Sequence, residues 1–132
     1  MPVNIVFDTN VWVSYFINAR ADYLIKLILS HDMKVFTSEA LTEELDEVLR
    51  RPKFKLPFPV PDYVALHQSV CVKIKPTIRF TESPDPDDNF LFELCIKANA
   101  NYLVTSDKKL LQFIPPFDLN IVTFNEVRSL LG

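Results

Sequence analysis

Apolar and polar positions alternate along the chain in two distinct rhythms. Four short runs are apolar and β-rich: Asn4-Ile5-Val6-Phe7, Lys34-Val35-Phe36-Thr37, Tyr102-Leu103-Val104-Thr105 and Asn120-Ile121-Val122-Thr123. Each reads as a buried parallel strand. Between them, apolar residues recur at helical spacing and predict helices over residues 11–16, 21–30, 39–50, 63–71, 89–98, 108–113 and 126–131. Strands alternating with helices predict right-handed crossovers and a three-layer α/β/α sandwich around a short, mainly parallel sheet. Ser38, Asp62, Asp87 and Asn125 are placed to cap the third, fourth, fifth and last helices. Four prolines in residues 51–61 remove backbone donors and favour extended geometry, so that segment is expected to be a stiff surface connection.

Composition narrows this picture. A chain of 132 residues, 48% hydrophobic, carries enough apolar area for one core, so residues 1–132 are expected to form a single domain. No apolar run approaches the ~20 residues of a membrane span, and Met1-Pro2-Val3-Asn4 has no basic leader, which predicts a cytoplasmic protein without membrane contact. Gly132 is the one glycine, which excludes glycine-rich phosphate loops. His31, His67, Cys71 and Cys95 lack metal-ligand spacing, so zinc is not expected, and the cysteines read as buried free thiols. The net charge of −3 argues against a basic duplex-coating surface while leaving room for a metal-neutralised phosphodiester site.

The acids carry the chemistry. Ligands of open α/β sheets bind beyond the carboxyl ends of strands, where strand order reverses. Asp8 follows Ile5-Val6-Phe7 and Asp107 follows Leu103-Val104-Thr105-Ser106, and chain order favours neighbouring these two strands, which would bring both acids to one crevice. In the helix over residues 39–50 the inward stripe is Leu41, Leu45, Val48 and Leu49. At ~100° per residue Glu44 lies ~85° from its centre, closer to the interior than Glu43, Asp46 or Glu47. In Ser83-Pro84-Asp85-Pro86-Asp87-Asp88-Asn89, Asp85 and Asp87 read as helix caps, which leaves Asp88 on the first turn to face a ligand. Four gathered carboxylates repel one another unless a cation compensates, and hard oxygen donors indicate Mg²⁺ or Mn²⁺. Hydrolysis of a phosphoryl ester is the matching reaction class.

These residues resemble the PIN-domain nucleases from Asn4 to Leu131. The resemblance rests on Val6-Phe7-Asp8-Thr9-Asn10-Val11, on Ser38 through Glu44-Leu45 to Leu49-Arg50-Arg51-Pro52-Lys53-Phe54, and on Asp88-Asn89-Phe90-Leu91 leading to Leu103-Val104-Thr105-Ser106-Asp107. It implies that Asp8, Glu44, Asp88 and Asp107 are the acidic quartet, with Asp8, Asp88 and Asp107 as metal ligands. Asn10 would brace the first acid, and Thr105 would line the site beside Asp107. The proline-rich extension after Phe54 is similar to that of VapC-like toxins of type II toxin-antitoxin pairs. That likeness implies a Mg²⁺-dependent ribonuclease held inactive by a partner antitoxin. Ser106 and Asn101 depart from the pattern, which often has glycine and an acid there, and neither removes a ligand.

Other readings stand beside this one. Asp8 and Asp107 are also where simple helix caps would sit. An aspartate-based phosphatase would begin with the same strand and acid, although Asn10 replaces the second acid it needs. A catalytically weak RNA-binding or protein-interaction module would keep the fold alone. For the substrate path, Arg50, Arg51, Lys53, Phe54 and Lys55 form the densest basic cluster, with Phe58 nearby to stack on unpaired bases, and Lys108 and Lys109 follow Asp107 directly. The carboxylates alone permit DNA, and RNA enters through the resemblance. Eleven phenylalanines and a mean hydropathy of +0.11 point to a homodimer or to a complex with the antitoxin.

Overall fold

The computed structural model describes residues 2–132. Its elements run β1 (Val3–Phe7), α1 (Thr9–Ile17), α2 (Ala21–Ser30), β2 (Met33–Thr37), α3 (Glu39–Leu49), α4 (Val60–Val70), β3 (Val72–Lys73), a 3-10 turn (Pro86–Asp88), α5 (Asn89–Ala98), β4 (Tyr102–Val104), α6 (Lys108–Gln112), β5 (Asn120–Val122) and α7 (Phe124–Leu131). The sheet has the order β3-β2-β1-β4-β5, and all four pairings are parallel. Helices flank it as the expected α/β sandwich. From β1 the chain moves outward through β2 to β3, then returns to the other side of β1 for β4 and β5. Strand order thus reverses between β1 and β4, which pair as expected, Phe7 opposite Val104.

The strands earned their apolar runs by lying inside: Ile5, Val6, Phe7, Leu103 and Val104 are buried. Against them pack Trp12 and Phe16 of α1, the Leu41–Leu45–Leu49 stripe of α3 and Leu91, Phe92 and Leu94 of α5, all buried. Phe7 meets Trp12 edge to face at 5.6 Å, a preferred aromatic geometry. The buried face of α3 is the one its periodicity predicts. Cys71 and Cys95 are free thiols, and burial pushes the Cys71 thiol up to about 12. Among the described residues no helix is long and apolar enough to cross a membrane.

Several local expectations change. β3 was not predicted, because two exposed residues carry no periodicity; only its pairing with Phe36 and Thr37 makes it a strand. Helix α4 starts at Val60, not at residue 63, because Pro61 fits a first turn whose donors need no helical partner. Asp62 therefore lies inside that turn and Pro59 is the cap position. Asp87 does not cap either; its backbone N–H donates to the Asp85 side chain at 3.0 Å. At α7, Thr123 rather than Asn125 is the cap, in a reciprocal capping box with Glu126. Ser38 caps α3 as predicted, accepting from the Leu41 N–H. Helix α5 ends on Asn99 in the left-handed region, φ 50°, a role asparagine fills in a chain with so little glycine.

Candidate active site

The crevice between β1 and β4 is built by the two turns that leave those strands. Asp8 is the residue between β1 and α1. Its N–H donates to the Val104 carbonyl at 2.8 Å, so the sheet ladder continues one residue past β1 and fixes the acid at the switch point. Thr105 stands in the same place beyond β4, its N–H donating to the Val122 carbonyl at 3.0 Å. The Thr105 hydroxyl donates to Asp8 Oδ2 at 2.7 Å and accepts from the Asp107 N–H at 3.0 Å. One buried hydroxyl thereby ties the first acid to the turn that carries the last.

Asp8 is 6% exposed. Burial pushes its pKa up, the nearby Asp107 charge adds to this, and the Thr105 hydroxyl and the Asn10 and Thr9 N–H groups oppose it. No side-chain capping hydrogen bond joins Asp8 to the first turn of α1, and the exposed Asn10 side chain lines a neighbouring cleft. Asp107 does cap α6, accepting from the Lys109 N–H through Oδ1 at 2.9 Å. That is the simple capping role, and it coexists with the link to Asp8.

Glu44 is half-buried on α3 and accepts from the Thr9 hydroxyl through Oε2 at 2.9 Å. Burial raises its pKa first, the charges of Asp8 and Glu47 add, and Thr9 and Arg51 oppose. Thr9 is 2% exposed and was missed by sequence reasoning; a hydroxyl directly after the first acid was the only signal. It anchors Glu44 to the turn that holds Asp8. Asp88 closes the 3-10 turn, with no capping hydrogen bond from its side chain. Its pKa is pushed up to about 6 by burial and by the charges of Asp8, Asp85, Asp107 and Glu44. Asp88 thus feels the other three acids of the quartet, and Asp8 in turn acts on Glu44.

A divalent cation fits this set by donor chemistry: carboxylate and hydroxyl oxygens only, with the charges of Asp8, Asp85, Asp107 and Glu44 adding to burial in raising the Asp88 pKa. Among the described residues no three His, Cys, Asp or Glu side chains already converge as a metal cage, so the fit lies in charge and donor type. Around the acids, Lys108 is exposed at the start of α6, and the Arg51 charge reaches Glu44. Lys53 lies over the Phe54 ring at 5.1 Å. Arg50 is engaged elsewhere, paired with Asp46 through two hydrogen bonds of 3.0 Å. His67 is a core residue, its Nε2 and the Thr37 hydroxyl 2.8 Å apart.

No curated protein matches the chain. The family model of the PIN domain matches residues 4–109, a span that includes Asp8, Glu44, Asp88 and Asp107 and both hydroxyls that organise them. By that match over most of its length, and with the parallel sheet that carries the acids, the chain belongs to the PIN-domain family.

Proposed function

We propose that the protein is a Mg²⁺- or Mn²⁺-dependent ribonuclease that hydrolyses phosphodiester bonds of single-stranded RNA. PIN domains are typically nucleases and generally use divalent metals, and RNA is the substrate the resemblance implies. The observation that carries the reading is the Thr105 hydroxyl joining Asp8 to the Asp107 turn at the sheet's switch point, with Asp88 feeling the charges of Asp8, Asp107 and Glu44. Asp8, Asp88 and Asp107 would hold the cation. When bound, it supplies positive charge that polarises the phosphoryl oxygen and makes the attacking water more acidic.

The protein's own groups do the rest. Thr105 fixes the orientation of Asp8, and Thr9 fixes that of Glu44. Glu44, whose pKa is raised, is suited to take the proton of the attacking water as its oxygen bonds to phosphorus and the sugar oxygen leaves. Lys108 and Arg51 offset the charge of flanking phosphates. The proline-rich segment after α3 supports placing the chain in a toxin branch, working in the cytoplasm and silenced by a cognate antitoxin, with a homodimer as its own assembly.

The test is cleavage of a labelled single-stranded RNA in Mn²⁺ and in EDTA. Wild type should cut only with metal. Asp8→Asn, whose amide oxygen can still accept from Thr105, should fall to background. Glu44→Gln should lose on the order of 10²–10⁴ in rate, the usual contribution of a general base, while Glu43→Gln and Glu47→Gln, both exposed, stay within twofold. Metal-independent cutting, or Asp8→Asn at the wild-type rate, would sink the reading.

A further inference from the structure

Beside the acids, on the far side of Thr105, lies a cleft of about 300 Å³. It is lined by residues of α1, by Thr105 and Ser106 just after β4, and by the start of α7. Thr105 belongs both to this cleft and to the acid site, since its hydroxyl is the donor to Asp8. Among the described residues lining it there is no carboxylate, although the quartet adjoins it. Its lining instead combines three chemistries. Asn10, Asn18 and Asn125 with Ser14 offer amide and hydroxyl groups, Tyr15 and Phe124 offer aromatic rings, and Arg20 offers the single cation.

Arg20 is held without being neutralised. Its guanidinium carbon stands 5.5 Å from the Tyr15 ring centroid and 5.0 Å from that of Tyr23, and those two rings stack at 6.0 Å with 12° between their planes. Tyr23 is fixed in turn by Arg128, which donates to its hydroxyl at 2.7 Å. Among the described residues no carboxylate pairs with Arg20, so its five donors are available to an outside anion. Tyr15 also packs on Phe124 at 5.1 Å, which joins α1 to the start of α7.

We propose that this cleft is a nucleotide subsite. It takes one unpaired nucleotide next to the scissile phosphodiester, its base against Tyr15 and Phe124 and read by the asparagines, and its phosphate on Arg20. The inference rests on the ribonuclease reading and adds a place for the strand. Single-stranded RNA is recognised by stacking on aromatic rings and by hydrogen bonds to base edges, with a cation on the backbone, and the cleft supplies each of these next to the acids.

Two variants test it. Arg20→Ala removes the cation, and Ser14→Trp fills the cleft from an exposed position on α1; circular dichroism and melting establish that both fold. KM and kcat are measured on a fluorescent decamer RNA in Mn²⁺ at several salt concentrations, together with the base preference beside the cut. Both variants should raise KM about tenfold while kcat at saturation changes less than twofold, and Ser14→Trp should lose base preference at one position. For Arg20→Ala, the slope of log kcat/KM against log salt should shrink by ~0.7, one phosphate contact on a single strand. Wild-type KM, preference and salt slope in both variants, with wild type still cutting in a metal-dependent way, would overturn the subsite and leave the nuclease reading standing. A wild type that does not cut RNA at all would overturn both.

Discussion

Two titratable side chains impose opposite pH dependences on the fold. His67 lies buried against Trp12 at 4.4 Å, and burial pushes its pKa down to about 4, against roughly 6.5 in the unfolded chain. Between those values the unfolded chain binds the extra proton, so His67 makes stability fall as pH falls through that window. Asp88 works the other way. With its pKa pushed up to about 6, the folded state keeps a proton that the unfolded chain, near 4, has released. Stability from Asp88 is therefore lost as pH rises from about 4 to 6 and stays lost above, and the raised carboxyls of Asp8 and Glu44 add in the same sense. In EDTA, wild type should show a shallow profile between pH 4 and 6.5, where the slopes oppose. Asp88→Asn should steepen the acid limb and be more stable than wild type at pH 7, by roughly 1 kcal/mol or less because the group is half in water. Urea unfolding at several pH values measures this; an Asp88→Asn protein less stable than wild type at pH 7 would mean that the carboxylate serves the fold, not a ligand.

At the scale of elements, the start of α7 decides the shape of the cleft beside the acids. Thr123 accepts from the Glu126 N–H at 3.2 Å, while Glu126 Oε1 accepts from the Thr123 N–H at 3.2 Å. This reciprocal pair fixes where the helix begins. Phe124 is thereby held against Tyr15 and, at 6.3 Å, against Phe7 of β1. Thr123→Ala should cost about 1 kcal/mol, the usual worth of a cap, and Asn125→Ala less than about 0.5 kcal/mol, as for an exposed residue without such a role. Thermal melts of the two variants compare them directly. Equal losses would mean that Asn125, the residue the sequence pattern favours as cap, carries the helix start after all.

At the scale of the molecule, the core does not use all of the chain's apolar side chains. Leu29 on α2 is 72% exposed and Leu130 on α7 is 62% exposed, and the Arg128–Tyr23 hydrogen bond joins those two helices. The proposed homodimer would cover this side. Light scattering at micromolar concentration should give twice the 15.3 kDa chain mass for wild type and the single mass for Leu29→Glu/Leu130→Glu. A wild-type monomer at every concentration would remove the homodimer from the proposal.

The sequence by itself determined the alternation of strands and helices, the buried stripe of α3 and the positions of Asp8 and Asp107 just beyond two strands, because burial periodicity and strand ends are local properties of the chain. It also singled out Glu44 from its neighbours, since helical geometry alone turns that acid toward the interior. Tertiary structure decided what local pattern cannot hold. β3 exists through its pairing with β2, and Thr123 displaced Asn125 as a cap because helix starts depend on where a strand delivers the chain. Thr9 and Glu44 stand 35 residues apart in the hydrogen bond that joins them, and Thr105 and Asp8 stand 97 apart. A hydroxyl that links two acids across such separations leaves no mark in residue spacing; it is made only when the parallel sheet sets β4 beside β1.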